Sequence, residues 1–345
     1  MKKRVSITAS WSAALALITL AGSCTEPIVP TAVLPSINPR AIAICSADVR
    51  AQTLTCSDAR VTQNFSSGVR KDVILGGQDV FVKLSSGGTA YDGGTGIFSS
   101  NVDVQNLLQY AMGSADGQTV NGVEVFFQSG PTVTSGTGTV TVANPDGMSS
   151  FTGPNQAYYH YGEILSPFEV STPRPWQFQL AGSVSTFSFQ VYVSSPVTGP
   201  ETGLLGNIWT GSTSTTWANP ANWRDGVVPD SASTATIPTD SLLASRVYPV
   251  VASNIRLTNL RVGSGSSLAL GGFKLTAYGN VESVGSITGG TVRMRGVNAL
   301  LGGNIDALEV TGSVKLQRAT RATGAVSIAG GSLSVADKPL SIQLQ

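Results

Sequence analysis

Ser267-Leu268-Ala269-Leu270-Gly271-Gly272-Phe273-Lys274-Leu275-Thr276 decides the fold of the C-terminal half. Two short alternating apolar runs flank a Gly-Gly corner. Alternation with period two is the pattern of a strand, and paired glycines supply a tight turn. Ser332-Leu333-Ser334-Val335-Ala336-Asp337-Lys338-Pro339-Leu340-Ser341 echoes the same rhythm. Between the two copies, strands are expected at 257–262, 291–294, 308–310, 314–316 and 326–328, separated by glycine turns. Short strands at near-regular spacing, with small residues at the corners, indicate stacked coils. The expectation for residues 204–345 is a parallel β-helix, with a second sandwich as the alternative. The end, Ser341-Ile342-Gln343-Leu344-Gln345, falls inside an expected coil without a polar cap, so that end is expected to continue in a longer chain or to meet a partner.

The segment before the coils is tryptophan-rich: Asn207-Ile208-Trp209-Thr210-Gly211, Trp217, Asn219-Pro220-Ala221-Asn222-Trp223, Gly226-Val227-Val228-Pro229, Ala235-Thr236-Ile237-Pro238 and Tyr248-Pro249-Val250. This order resembles the segment that opens solenoid regions in bacterial adhesin-like and autotransporter-like surface proteins. Trp209, Trp217 and Trp223 then have two readings. They close the first coil, or they present stacking faces to a carbohydrate.

Residues 41–198 read as a separate β domain. Val80, Val82 and Leu84 share a face, as do Phe187, Phe189, Val191 and Val193, and 101–104, 122–126 and 139–142 follow the same period. Asp92-Gly93-Gly94, Asp116-Gly117, Asn121-Gly122 and Asp146-Gly147 are turn signals. Seven or eight antiparallel strands of this spacing predict an immunoglobulin-like β-sandwich. The aspartates lack the alternating oxygen ligands of a calcium loop and read as turn formers. Over residues 73 to 193 this region resembles a domain shared by predicted bacterial surface lipoproteins, on Ile74-Leu75-Gly76-Gly77-Gln78 and Ser129-Gly130-Pro131-Thr132-Val133-Thr134-Ser135-Gly136-Thr137-Gly138. That resemblance implies a location rather than a reaction. Pro196 to Gly203 reads as the linker to the coils.

Residues 1–23 read as a signal peptide: basic Lys2-Lys3-Arg4, then a short apolar run to Ala21. That run is shorter than the about 20 apolar residues a membrane-spanning helix requires. Ala21-Gly22-Ser23 before Cys24 resembles a bacterial lipobox, and it also fits ordinary secretory cleavage at the same bond. Lipidation of Cys24 accounts for the odd count of three cysteines and leaves Cys45 and Cys56 to form a disulfide. Prolines recurring through residues 24–40 hold the chain extended as a tether.

Charged residues make up 12% of the chain and net charge is +1, without a basic run. That argues against a nucleic-acid partner. Tyr158-Tyr159-His160-Tyr161 reads as packing or as a ligand-stacking cluster of Tyr158, Tyr159 and Tyr161. His160 has no nucleophile motif to serve and no companion metal ligands. Glu282, Asp306, Glu309 and Asp337 lie at no common spacing, and Arg293, Arg295, Arg318 and Arg321 read as outward-facing and solvated. The sequence therefore points to a non-enzymatic cell-envelope lipoprotein acting in adhesion or as a surface scaffold. It carries no catalytic, metal or cofactor site, and its partners are a membrane and a surface glycan or protein. A carbohydrate-binding module and a polysaccharide-active β-helix enzyme are the alternatives.

Overall fold

A computed structural model describes residues 42–59, 73–75, 78, 80–199, 205–243 and 246–343. Cys24, the signal peptide and the proline-rich tether lie outside the described residues. The described residues are all-β apart from two short 3-10 turns, and no described helix is long and apolar enough to cross a membrane.

The first region comprises β1 (Ile42–Asp48), β2 (Thr53–Ala59), β3 (Val73–Leu75), β4 (Val82–Asp92), β5 (Ile97–Asn106), β6 (Val123–Val142), β7 (Gly147–Ser149), β8 (Gln156–Tyr161) and β9 (Arg174–Ser195). Hydrogen bonds join them into one continuous nine-stranded sheet. The long antiparallel pair β6–β9 is its spine. On the far side of β9, β5 pairs with Arg174–Gln179 and β1 with Thr186–Val191. The two halves of the spine thus carry different neighbours, and the sheet folds over so that its inner surfaces meet. Phe98 on β5 contacts Phe187 edge-on at 5.4 Å, and Trp176 from one half of β9 lies 6.1 Å from Phe189 of the other.

Glycine permits the spine. Gly138 has φ +133°, and a Cβ there would collide with the Ala181 carbonyl of the partner strand. The glycine-rich stretch Ser129–Gly138 is therefore strand throughout, continuous with the flanking alternating runs.

Cys45 and Cys56 face each other across β1 and β2 and form a disulfide, Cα–Cα 4.0 Å. By closing a short loop it contributes roughly 2–3 kcal/mol. The Asp92 and Asp116 turns form as read, whereas Asp146 accepts from His160 N–H and pairs with Arg174, and Gly147 opens β7. Asp92 Oδ1 accepts from Gly94 N–H at 2.9 Å, and Asp116 Oδ1 accepts from Gln118 and Thr119 N–H at 2.8 and 2.7 Å. The Thr95 hydroxyl together with Gly94 N–H at Asp92, and the Thr119 and Gln118 N–H groups at Asp116, hold both carboxyls below the usual range. The segment read as a linker starts inside the fold: Pro196 O accepts from Gly113 N–H and Thr198 N–H donates to Ala111 O.

The second region is a β-solenoid. Its strands are β10 (Asn207–Ile208), β11 (Thr234–Ile237), β12 (Ile255–Leu257), β13 (Asn259–Val262), β14 (Ser267–Ala269), β15 (Lys274–Ala277), β16 (Val281–Thr288), β17 (Thr291–Met294), β18 (Ala299–Ile305), β19 (Ala307–Val310), β20 (Ser313–Ala322), β21 (Val326–Ile328), β22 (Ser332–Ser334) and β23 (Leu340–Ile342). Every strand pairing among them is parallel. β12, β15, β17, β19 and β21 form one five-stranded ladder. The other ladder turns a corner within β16, β18 and β20, at register shifts after Ser283 and Leu301. Gly303 makes that corner possible: at φ +100° a side chain would strike the Ser283 carbonyl of the coil beside it. The solenoid therefore has three faces.

Its core is stacked aliphatic rungs. Ala235, Leu260, Val281, Leu301 and Leu316 follow one column, and Leu275, Val292 and Leu308 another, all buried. Full burial of each valine or leucine is worth about 1.5–3 kcal/mol. The sequence echo captures the coil rhythm but not the register. Ser267–Ala269 continues the column of the second half of β16, whereas Ser332–Ser334 continues that of the first half of β20.

Candidate functional site

The aromatic residues singled out in the sequence are mostly interior. Tyr159 and Tyr161 alternate inward on β8, each at most 1% exposed. Tyr159 stacks on Trp176 at 4.8 Å, and its hydroxyl donates to Asn144 Oδ1 at 2.7 Å. Tyr161 Oη donates to Val102 O at 2.9 Å and accepts from Trp176 Nε1 at 3.1 Å. Burial pushes both phenols well above their usual range. Tyr158 and His160 take the other face and are half-buried; Tyr158 packs on Phe126 at 5.1 Å. Trp209, Trp217 and Trp223 are at most 3% exposed. Trp223 meets Trp209 and Trp217 edge-on at 5.2 and 4.7 Å, and its Nε1 donates to Trp217 O. Buried Asn222 knits the loop around them, its Oδ1 accepting from Thr213 and Ser214 N–H and its Nδ2 donating to Thr216 O. In this conformation protein covers the faces of these five rings, which leaves Tyr158 as the accessible member of the set.

The acidic residues do not converge. Glu309 Oε2 pairs with Lys274 Nζ at 2.7 Å and its Oε1 with Arg293 Nη2 at 2.8 Å, which holds its carboxyl below the usual range. Asp306 turns to the backbone, accepting from Gly290 N–H at 3.0 Å. Asp337 pairs with Lys338 at 3.0 Å. A cleft of about 420 Å³ opens in the first region, walled by Phe127, Pro131, Val142, Pro145, Met148 and Gln156 among others. No ionisable side chain lines it.

The densest polar chemistry joins the two regions, at positions that carry no sequence motif. Glu282 on β16 is fully buried. Its Oε1 lies 3.0 Å from Arg318 Nη1, and its Oε2 accepts from Gln317 Nε2 at 2.8 Å. Arg318 and Gln317 come from β20, beyond β18. They reach Glu282 because the intervening position is Gly302, where a Cβ would press on both Arg318 and the Glu282 carboxylate. Arg261, 4% exposed, is the β13 neighbour of Glu282 in register. From the first region, Gln105 Oε1 accepts from Arg318 Nη2 at 3.2 Å while its Nε2 donates to Phe168 O at 2.9 Å. Asn280 Nδ2 also donates across, to Pro167 O. Gln105 lies outward of its own core, between the buried Val104 and Asn106, and is only 2% exposed. Nearby Asp103 is pushed up to about 6 by loss of solvent, against the pull of Arg318, Lys338 and Lys83. Burial raises the Glu282 carboxyl too, again opposed by Arg318.

Protein-family models give no match to this chain, and neither do curated proteins. Among solved structures it is similar to envelope protein VP37 from White Spot Syndrome Virus, with 8% identity, 45% of this chain and 93% of that chain covered, and a TM-score of 0.24. A superposition that poor carries no argument about fold or function.

Chemically, the junction is a clasp. A carboxylate removed from water is tolerable when cations and amides surround it. Losing one partner leaves the other charge stranded, so such a cluster fixes one relative placement of the elements that supply it.

Proposed function

We propose that this chain is a non-enzymatic cell-envelope lipoprotein, anchored by lipid on Cys24 and serving as an adhesion or scaffold element. The proline-rich tether projects it from the membrane. The antiparallel region, read as an immunoglobulin-like sandwich, acts as a spacer for the solenoid. One observation carries the reading: each acidic side chain described from 205 to 343 is already engaged. Asp225, Glu282, Glu309 and Asp337 are ion-paired, Asp240 meets Arg246 and Tyr248, and Asp230 and Asp306 accept backbone N–H groups. A glycosidase-type mechanism needs two carboxyl groups flanking one bond, about 5–9.5 Å apart and free to exchange protons. Asp306 and Glu309, the nearest pair in sequence, are held by separate partners. Membrane fractionation of the wild type and Cys24→Ala tests the anchor. The wild type is expected with membranes and the variant in the soluble fraction; a variant that stays with membranes rules the anchor out.

A further inference from the structure

One solenoid face is basic and, among the described residues, uncovered. The face bearing Glu282 is covered by the first region. The corner face carries Arg321, whose guanidinium is held by Gln343. The remaining face, the outer side of the β12–β15–β17–β19–β21 ladder, presents Arg256, Lys274, Arg293 and Arg295 against a single acid, Glu309. Lys274 and Arg293 share Glu309. Arg256 and Arg295 are exposed and have no acidic partner among the described residues. Arg295 sits over the ring of Tyr278, 5.8 Å from its centroid, and that ring is 39% exposed. Between the cations the outward positions are short: Thr276, Thr291, Ala307 and Thr311.

We propose that this face binds an acidic polysaccharide, with Arg256 and Arg295 meeting its carboxylate or sulfate groups and the part of Tyr278 that Arg295 leaves exposed edging a sugar ring. The proposal rests on the non-enzymatic binding reading above and names its ligand class. Parallel strands set successive rungs about 4.8 Å apart, and the unpaired cations Arg256, on β12, and Arg295, just after β17, stand two rungs apart. Guanidinium groups suit planar carboxylates and sulfates because their donors form a fork. An aromatic ring adds an apolar platform with a polar edge. Glu309, in the middle of the face, disfavours a densely charged phosphate backbone but leaves room for sparser acidic groups.

Binding by the full mature chain to polygalacturonate and to dextran sulfate tests this, with methyl-esterified polygalacturonate and plain dextran as uncharged partners. At low salt one or both charged polymers should retain the protein and the uncharged ones should not. Retention should fall sharply near about 0.5 M salt, where screening shortens the reach of charge to a few ångströms. The pair Arg256→Ser with Arg295→Ser should weaken binding at least about tenfold, since a few desolvated cations govern such contacts. Neither residue takes part in a salt bridge, and an unchanged near-UV circular dichroism spectrum checks that the variant folds. Arg321→Ser, on the corner face, should bind as the wild type does. Absence of retention, equal retention on the uncharged polymers, undiminished binding by the double variant, or tighter binding to a single-stranded oligonucleotide would each overturn the proposal. Shortening of the polymer, together with loss of retention in the double variant, keeps the face and overturns the non-enzymatic reading instead.

Discussion

The two regions solve the same problem, an all-β core in a glycine-rich chain, in opposite ways. The first gathers its core from strands remote in sequence: β1 and β3 both pair with β9, and Phe98, Phe127, Trp176, Phe187 and Phe189 meet at its centre. The second stacks each coil on its neighbours and fills the interior with aliphatic columns. A core built from distant strands is held all together or lost all together. A stack of coils has a stability that is approximately a sum of local terms. The difference teaches where a lesion should spread and where it should stay.

The largest effect is expected from Trp176→Ala. The indole stacks on Tyr159 and donates to Tyr161, and its loss should cost about 3–5 kcal/mol. Hydrogen exchange should accelerate across β1 to β9 together while β15, β17 and β19 keep their protection. Acceleration confined to β8 and the adjoining part of β9 would break the contrast.

Glu282→Ala comes next. It leaves Arg318 and Arg261 without their buried carboxylate, a loss of about 3–5 kcal/mol by the measure of broken buried pairs. The thermal unfolding of the two regions, expected to coincide in the wild type, should separate into two transitions. A single transition, merely shifted, would show that the clasp does not couple them.

Leu301→Ala, in the middle of a column, should cost about 2–4 kcal/mol, with faster exchange in β16, β18 and β20 and little change in β5 or β9. Spread into the first region would erase the distinction between the two cores.

The smallest effect is that of pH on the junction. Asp103 is raised to about 6, so the docked state holds a proton that the unfolded chain releases nearer 4. Junction stability should therefore be greatest toward pH 4 and fall as pH rises through about 6. Asp103→Asn should flatten that slope, as read by exchange of the β5 amides between pH 5 and 8. An unchanged slope would remove Asp103 from the account.

Local features were legible in the sequence because their causes are local. Period two marked the strands, Asx-Gly marked the turns, and the odd cysteine count marked the Cys45–Cys56 bond. The coil rhythm was legible from the glycine corners, while its register was not, because β16, β18 and β20 turn corners that a repeat search does not see. Alternation alone places Tyr159 and Tyr161 on one face and Tyr158 and His160 on the other. Reading the four residues as one cluster missed that split. The clasp had no signal at all. Val281-Glu282-Ser283 looks like any outward strand position, and Gln105 and Arg318 are 213 residues apart. Only the absence of a side chain at Gly302 and the docking of a second region bring them together.

The clasp is expected to hold the two differently built regions as one rigid body. Spin labels at Gln118→Cys and Val297→Cys, both exposed sites, in a Cys24→Ala background report the distance between the regions by pulsed electron resonance. A single narrow distance peak is expected in this otherwise wild-type chain, broadened by Glu282→Ala. A broad distribution before any change at Glu282 would contradict it.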